Sequence, residues 1–291
     1  MQKIELTKNV DLCEHFEKFL SGEEKGIIKL AVPVANINEW KDANPDVWPV
    51  VLGISTEQMD RVLYYMDDVV DDPGDSGLLK GKCVPHDISE MLRASGKTVT
   101  VKSGFEGLDV ILQARDLKDM YEAARDTERQ CMAFITEERN RIAEEHGEDC
   151  AEDTDEIANA CMKLAQARVK IDAVLYAKAH YDRLRIDEVN VMPLQIRSIL
   201  NEEQRTMPYA ADDLKYLYNR VQMRNNRLKM LMEVNAPEIV IRNEKRALQE
   251  TADTLIANGK RGYTIMRTGT ENDEIRMQSL TDVILRNTKL V

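Results

Sequence analysis

A chain of 291 residues is too long for one compact core of average size, so one extended domain or two modest ones are expected. Charged residues make up 32%, hydrophobic residues 43% and aromatics only 5%, a balance that favours a helical, elongated shape over a thick globular core. The net charge of −12 argues against simple nucleic-acid binding, and no apolar run approaches the ~20 residues of a bilayer span, which excludes a membrane helix.

The opening stretch MQKIELTKNVDLCEHFEKF is charged throughout, unlike a signal peptide, so a cytoplasmic location is expected. A short helix is expected around Leu12–Leu20. Residues 27–35, IIKLAVPVA, are apolar and β-rich, and Pro33, which has no amide to donate, marks an edge strand or a strand end. Ser55-Thr56-Glu57 opens a helix, with Ser55 as N-cap and Met59, Val62 and Leu63 as its buried face. DDVVDDPGDSG (67–77) is expected to close that unit as a turn. Residues 78–104 are punctuated by Gly and Lys, and VTVKSG (99–104) reads as a short strand and turn. From Gly107 to about Asp182 the pattern is helical, broken at His146-Gly147-Glu148-Asp149 into two long helices. RIDEVNVM (185–192) alternates as a returning strand, 193–210 reads as a loop, and 263–291 as a polar loop with a short helix around Leu280–Leu285. The expected fold is mainly α with a small β element (α+β) built from 27–35, 99–102 and 185–192. Two projections are expected to leave it, an acidic helical arm and a long antiparallel coiled-coil hairpin.

Charge is unevenly distributed along this frame. Residues 116–160 carry 15 acids against 5 bases, whereas Arg205 to Gly262 carry 11 bases against 7 acids. Two surfaces of opposite sign imply different partners.

Few residues in the chain read as chemistry. Asp67, Asp68, Asp71, Asp72 and Asp75 lack the alternation and distal Glu of a calcium loop and read as a solvated turn. His15, His86, His146 and His180 are isolated, without partners at metal-ligand spacing. The five cysteines (Cys13, Cys83, Cys131, Cys150, Cys161) are scattered with no CxxC, as suits free thiols in a reducing compartment. Cys13 beside His15 hints at a reactive thiol, but no oriented base can be named.

The patterned polar residues lie in 212–262. On the first arm Leu214, Leu217, Val221, Leu228 and Leu231 follow coiled-coil spacing, and the seam position near 224 holds Arg224-Asn225. Residues 212–234 as one helix would be ~35 Å long at 1.5 Å per residue. The second arm offers Ile241, Leu248, Ala252 and Leu255, with Glu244-Lys245 filling its gap. The tip is Asn235-Ala236-Pro237. Folding about Pro237 brings position 224 opposite 248–249, so Arg224, Arg227 and Gln249 are expected to share one patch, with Glu244 nearer the tip. That patch, flanked by Leu231, is a docking face for a partner helix. The bland alternative is a plain coiled coil that tolerates polar inclusions.

RNNRLK (224–229), APEIVIRNEKRALQE (236–250) and ANGKRG (257–262) closely resemble the clamp helices of the β′ subunit of bacterial DNA-directed RNA polymerase. LKYLYNRV (214–221) fits the same element. Upstream, GIIKLAVPVANI (26–37), STEQMDRVLYYMDDVV (55–70), SGFEGLDVIL (103–112) and VNVMPLQIRSI (189–199) resemble β′ segments in the same order. The resemblance divides the chain into an extension (1–25), a clamp-like α+β part (26–115), the acidic arm (116–182), a return strand with a lid-like loop (183–210), the hairpin (211–262) and a rudder-like tail (263–291). It implies that Arg224, Arg227, Leu231, Glu244, Gln249 and Thr251 contact a σ-type initiation factor, although Thr251 replaces the small apolar residue usual there. Arg205, Lys260 and Arg261 would lie near nucleic acid. The implied partners are other polymerase subunits or fragments, a σ factor, and DNA only within the assembly, with no membrane.

No four-Cys ribbon and no NADFDGD-like run is present, so no zinc or magnesium cofactor is expected on this chain, and it should be inactive alone in nucleotidyl transfer. The leading expectation is a β′ clamp fragment, a piece of a split or fragmented subunit or a recombinant excerpt, that docks σ in transcription. The rivals are a free-standing clamp mimic that sequesters σ and a structural coiled-coil adaptor.

Overall fold

The apolar stretch that begins at Ile27 extends as strand β1 (Ile27–Ala35) and pairs antiparallel with β5 (Arg185–Asn190), from Ile27 opposite Asn190 to Ala35 opposite Arg185. The computed structural model describes residues 26–41, 47–146, 154–191, 210–268 and 274–288. The expected helix at 12–20, the break at 147–149 and the loop at 193–209 fall outside these. β1 slips register between Lys29 and Val34, the stretch that contains Pro33, as an edge strand with a missing donor permits.

The next unit begins with short helices α1 (Ile37–Lys41) and α2 (Val47–Leu52), which carry the buried Trp40 and Trp48. Helix α3 (Thr56–Leu63) starts as expected. Ser55 Oγ accepts the Gln58 amide at 3.1 Å, Gln58 returns the bond at 3.1 Å, and Met59, Val62 and Leu63 are fully buried. The expected turn at 67–77 is instead strand β2 (Asp67–Asp72), the centre of a three-stranded antiparallel sheet between β3 (Cys83–Pro85) and β4 (Thr100–Lys102). Its acids are not one solvated set: Asp67 and Asp68 are buried on basic and hydroxyl partners, Asp71 is half-buried, and Asp72 and Asp75 are exposed as expected. β4 therefore joins β2 and not the β1–β5 pair, and among the described residues the expected single β element is three small sheets, the third being β6 (Met266–Thr268) with β7 (Glu274–Arg276). Helix α4 (His86–Ala94) follows Pro85 directly.

Helix α5 (Phe105–Gln113) starts at Gly104, whose φ of +65 and contact with the Tyr65 ring leave no room for a Cβ. Its Phe105, Leu108 and Ile111 join Trp40, Trp48 and the apolar face of α3 in the main core. The acidic arm is two helices, α6 (Leu117–His146) and α7 (Asp155–Leu184), each ~45 Å long at 1.5 Å per residue. Ala173, Val174 and Ala177 of α7 root the arm in the main core, and Ile135 meets Ile157 and Ala160 farther out.

Helices α8 (Ala210–Glu233) and α9 (Glu238–Ala257) form the helical hairpin, turning at Asn235 with a left-handed φ of 49. Leu214, Leu217, Val221 and Leu228 meet Leu248, Ala252 and Leu255, but Val32 and Val34 of β1 and Val283 of helix α10 (Leu280–Thr288) share the same core. The hairpin is thus packed against the β1–β5 sheet, and its seam is three-sided.

That packing makes the polar seam residue Asn225 an internal tie. Its Oδ1 accepts the Ala31 amide at 2.7 Å and its Nδ2 donates to the Lys29 carbonyl at 2.8 Å. Asn225→Leu takes the partner from the Ala31 amide, while the Lys29 carbonyl keeps Lys229 Nζ at 3.1 Å, and should cost about 1–3 kcal/mol, measured by urea unfolding. Wild-type stability in that variant would show that the tie contributes nothing.

Candidate docking hairpin

On α9 the positions 242, 249 and 253 lie on one helical face, and each polar side chain there is buried and bonded to the body. Arg242 Nη1 meets Asp68 Oδ1 at 2.6 Å while its Nε donates to the Tyr65 carbonyl at 2.7 Å. Gln249 bridges the end of β1, accepting the Ala35 amide at 2.8 Å and donating to the Ala35 carbonyl at 2.9 Å. The Asp253 carboxylate accepts Tyr64 Oη at 2.8 Å and Gln249 Nε2 at 2.8 Å.

The expected patch is therefore redrawn. Gln249 is 1% exposed and Thr251 5%, the latter with its hydroxyl on the Ala247 and Leu248 carbonyls, so neither is presented to a partner. Arg224 does not meet Gln249. It pairs with Glu244 at 3.1 Å, and Arg227 approaches the same carboxylate at 3.4 Å. The pairing lies about one helical turn closer to the tip than folding about Pro237 implies, because the turn is made at Asn235. Glu244 is 7% exposed at its side chain against 39% for Arg224 and 57% for Arg227, so one buried carboxylate positions two outward guanidinium groups.

Leu231 is half-buried beside them, and from 229 to 241 no residue is buried. Met230, Val234 and Ile239 are exposed in that stretch. An exposed apolar tip flanked by two positioned arginines can bind a partner's apolar side chains and acidic groups together.

The expected nucleic-acid-proximal residues are largely engaged within the chain. Arg261 stacks on the Tyr64 ring at 4.0 Å and pairs with Glu250 at 2.8 Å. Lys260 donates to Asn38 at 2.6 Å, and burial holds its ammonium below the usual lysine range. Arg205 lies outside the described residues.

Two buried carboxylates behave oppositely. Burial pushes Asp253 up to about 7, with the Tyr64 and Gln249 hydrogen bonds and the charges of Arg261 and Lys41 pulling back. Burial also raises Asp68, but hydrogen bonds from Ser103, Ser89, His86 and Arg242 outweigh it and hold this carboxyl below the ordinary range. His86, isolated in the sequence, is bonded to Asp68 at 2.8 Å. The sequence signal for this network is the acid run 67–72, whose composition is that of a turn although Asp67 and Asp68 are buried.

The family model for RNA polymerase Rpb1, domain 1, matches residues 1–285. The chain is similar to the DNA-directed RNA polymerase subunit β′ of Pediococcus acidilactici, 32% identical over 251 residues that make up 85% of this chain and 21% of that protein. The subunit β′ of Syntrophobacter fumaroxidans is 32% identical over 263 residues, 90% of this chain and 17% of that protein. That of Chlamydia pneumoniae is 31% identical over 253 residues, 85% and 16% respectively. The chain thus spans about a fifth or less of the length of these relatives. Among the described residues no helix is long and apolar enough to cross a membrane.

Asp253 sets a pH dependence. Its folded value of about 7 stands above the ordinary 3.8, so its contribution to stability is fully present below pH ~4 and is lost as pH rises through about 7. Asp253→Asn should gain on the wild type as pH goes from 5 to 8, reaching on the order of 1–3 kcal/mol in urea unfolding. A difference between the two proteins that is flat across that range would contradict the buried-carboxyl account.

Proposed function

This chain belongs to the RNA polymerase Rpb1 domain 1 family, the family of the β′ subunit, and from that premise we propose that its hairpin docks a σ-type initiation factor within a DNA-directed RNA polymerase assembly in transcription. The observation that carries the reading is the pair Arg224 and Arg227 held outward on the buried Glu244, next to a tip where 229–241 has no buried residue. Asn225, Gln249 and Thr251 are spent on partners inside the fold. The two arginines are held outward instead, and arginine beside exposed apolar side chains is the composition of an interface centre.

Within this reading Leu231, Met230, Val234 and Ile239 supply apolar contact, and Glu244 acts by positioning the guanidinium groups. Gln249 and Thr251 support α9 from within. The other subunits of the enzyme are the remaining partners, and DNA lies next to the chain only in the assembly. Catalysis of nucleotidyl transfer belongs to that assembly, since this chain supplies a docking surface.

Binding of the purified chain to a bacterial primary σ factor tests this directly. Arg227→Ala should weaken the complex about 10-fold or more, by ~1.4 kcal/mol, while leaving unfolding stability near wild type, because Glu244 keeps Arg224. Thr251→Ser, at a buried position, should bind as the wild type does. An absence of binding by the wild-type chain, or equal binding by Arg227→Ala, would remove the assignment.

A further inference from the structure

The two arms of the hairpin are fastened to different parts of the body. α8 is tied to β1 through Asn225, with Lys229 adding a bond from its ammonium to the Lys29 carbonyl at 3.1 Å. α9 is tied near its start to the three-stranded sheet through Arg242, the first buried residue after the tip. Between Leu228 and Arg242 the chain is a cantilever without a buried side chain. Half-buried Ile241 packs on the hairpin core there, and Arg93 meets Glu238 at 3.4 Å, an exposed pair of the kind that contributes little.

At the root of that cantilever four donors converge on one carboxylate. Asp68, fully buried, takes Arg242 Nη1 at 2.6 Å and Ser103 Oγ at 2.6 Å on Oδ1, and His86 Nδ1 at 2.8 Å and Ser89 Oγ at 2.5 Å on Oδ2. Arg242 is 9% exposed at its side chain, and its Nε holds the carbonyl of Tyr65, which has a left-handed φ of 59. A guanidinium that grips a strained backbone carbonyl and a saturated carboxylate together has one accessible geometry. Buried ion pairs add little net stability over apolar replacements but fix a register well.

We propose that the Asp68–Arg242 pair sets the angle at which the hairpin tip stands to the three-stranded sheet, so that Arg242 is a positioning residue for docking without touching the partner. The pair acts as a rigid joint: with it closed, Arg227 and the apolar tip meet a partner in one orientation, and with it broken the tip samples several. The consequence for docking rests on the σ-docking reading above, whereas the joint itself does not.

The joint is tested by the distance distribution between spin labels at Val234 and Leu79, exposed by 66% and 77%, in the full chain with its native cysteines replaced. Arg242→Met, Asp68→Asn and the double variant should each broaden the distribution, and the double should broaden it no more than either single. Arg242→Lys, which keeps the charge but loses the bond to Tyr65, should restore the width in part. Because a single variant leaves a buried charge unpaired, the uncharged double variant and Ser103→Ala carry the same readout where a single variant fails to fold. The same proteins should bind σ about 5- to 10-fold more weakly than the wild type, equally for the two singles and the double. An unchanged distribution in the double variant and in Ser103→Ala overturns the joint. Weaker binding by Arg242→Met with wild-type binding by Asp68→Asn overturns positioning in favour of direct contact. Broadening in a chain whose wild type does not bind σ supports the joint and overturns the docking reading alone.

Discussion

Strand β1 has more backbone groups than its partner β5 can satisfy, and much of the molecule is arranged around that shortage. β1 pairs with β5 on one edge alone, which leaves the amides of Ala31 and Ala35 and the carbonyls of Lys29 and Ala35 facing the hairpin instead of a second strand. Two side-chain amides, Asn225 from α8 and Gln249 from α9, each match one donor and one acceptor as a strand would. A buried backbone group left unpaired costs about 1–3 kcal/mol, so this exchange outweighs the loss of apolar seam at two positions. It also fixes which faces of both helices point inward.

Once those faces are fixed, the outer surface follows. Gln249 and Thr251 turn in, Asp253 is sealed against Tyr64, and Arg242 reaches the second sheet. Arg224, Arg227 and the apolar tip are among the positions left outward on the same stretch of hairpin, with Glu244 beneath the two arginines. The proposed docking chemistry and the stability of the fold are thereby divided between two faces of one hairpin. That division explains how a costly seam of polar residues can be kept, since Asn225 and Gln249 serve backbone groups of the body and Glu244 serves the outward arginines.

The helical parts were legible because periodicity and capping express them locally. Ser55 with Gln58, the 3-4 spacing of Leu214 to Leu228 and the long runs of α6 and α7 each depend on residues a few positions apart. β2 was not legible, because DDVVDD carries the composition of a turn and becomes a central strand only when Arg61, Arg242, His86 and two serines supply partners from elsewhere in the chain. The site was half legible for the same reason. The spacing put Arg224 and Arg227 on one face, but nothing local shows that Gln249 is spent on Ala35, a residue 214 positions away. A turn at Asn235 was enough to move Arg224 onto Glu244.

Hydrogen-exchange footprinting of the full chain with and without a bacterial σ factor tests the division of faces most directly. New protection is expected on the outward surface alone, at 223–241 and around Glu244, with the amides near Gln249 and Asp253 already protected and unchanged. New protection centred on 249–253, with the tip left as it is in the free chain, would contradict that division.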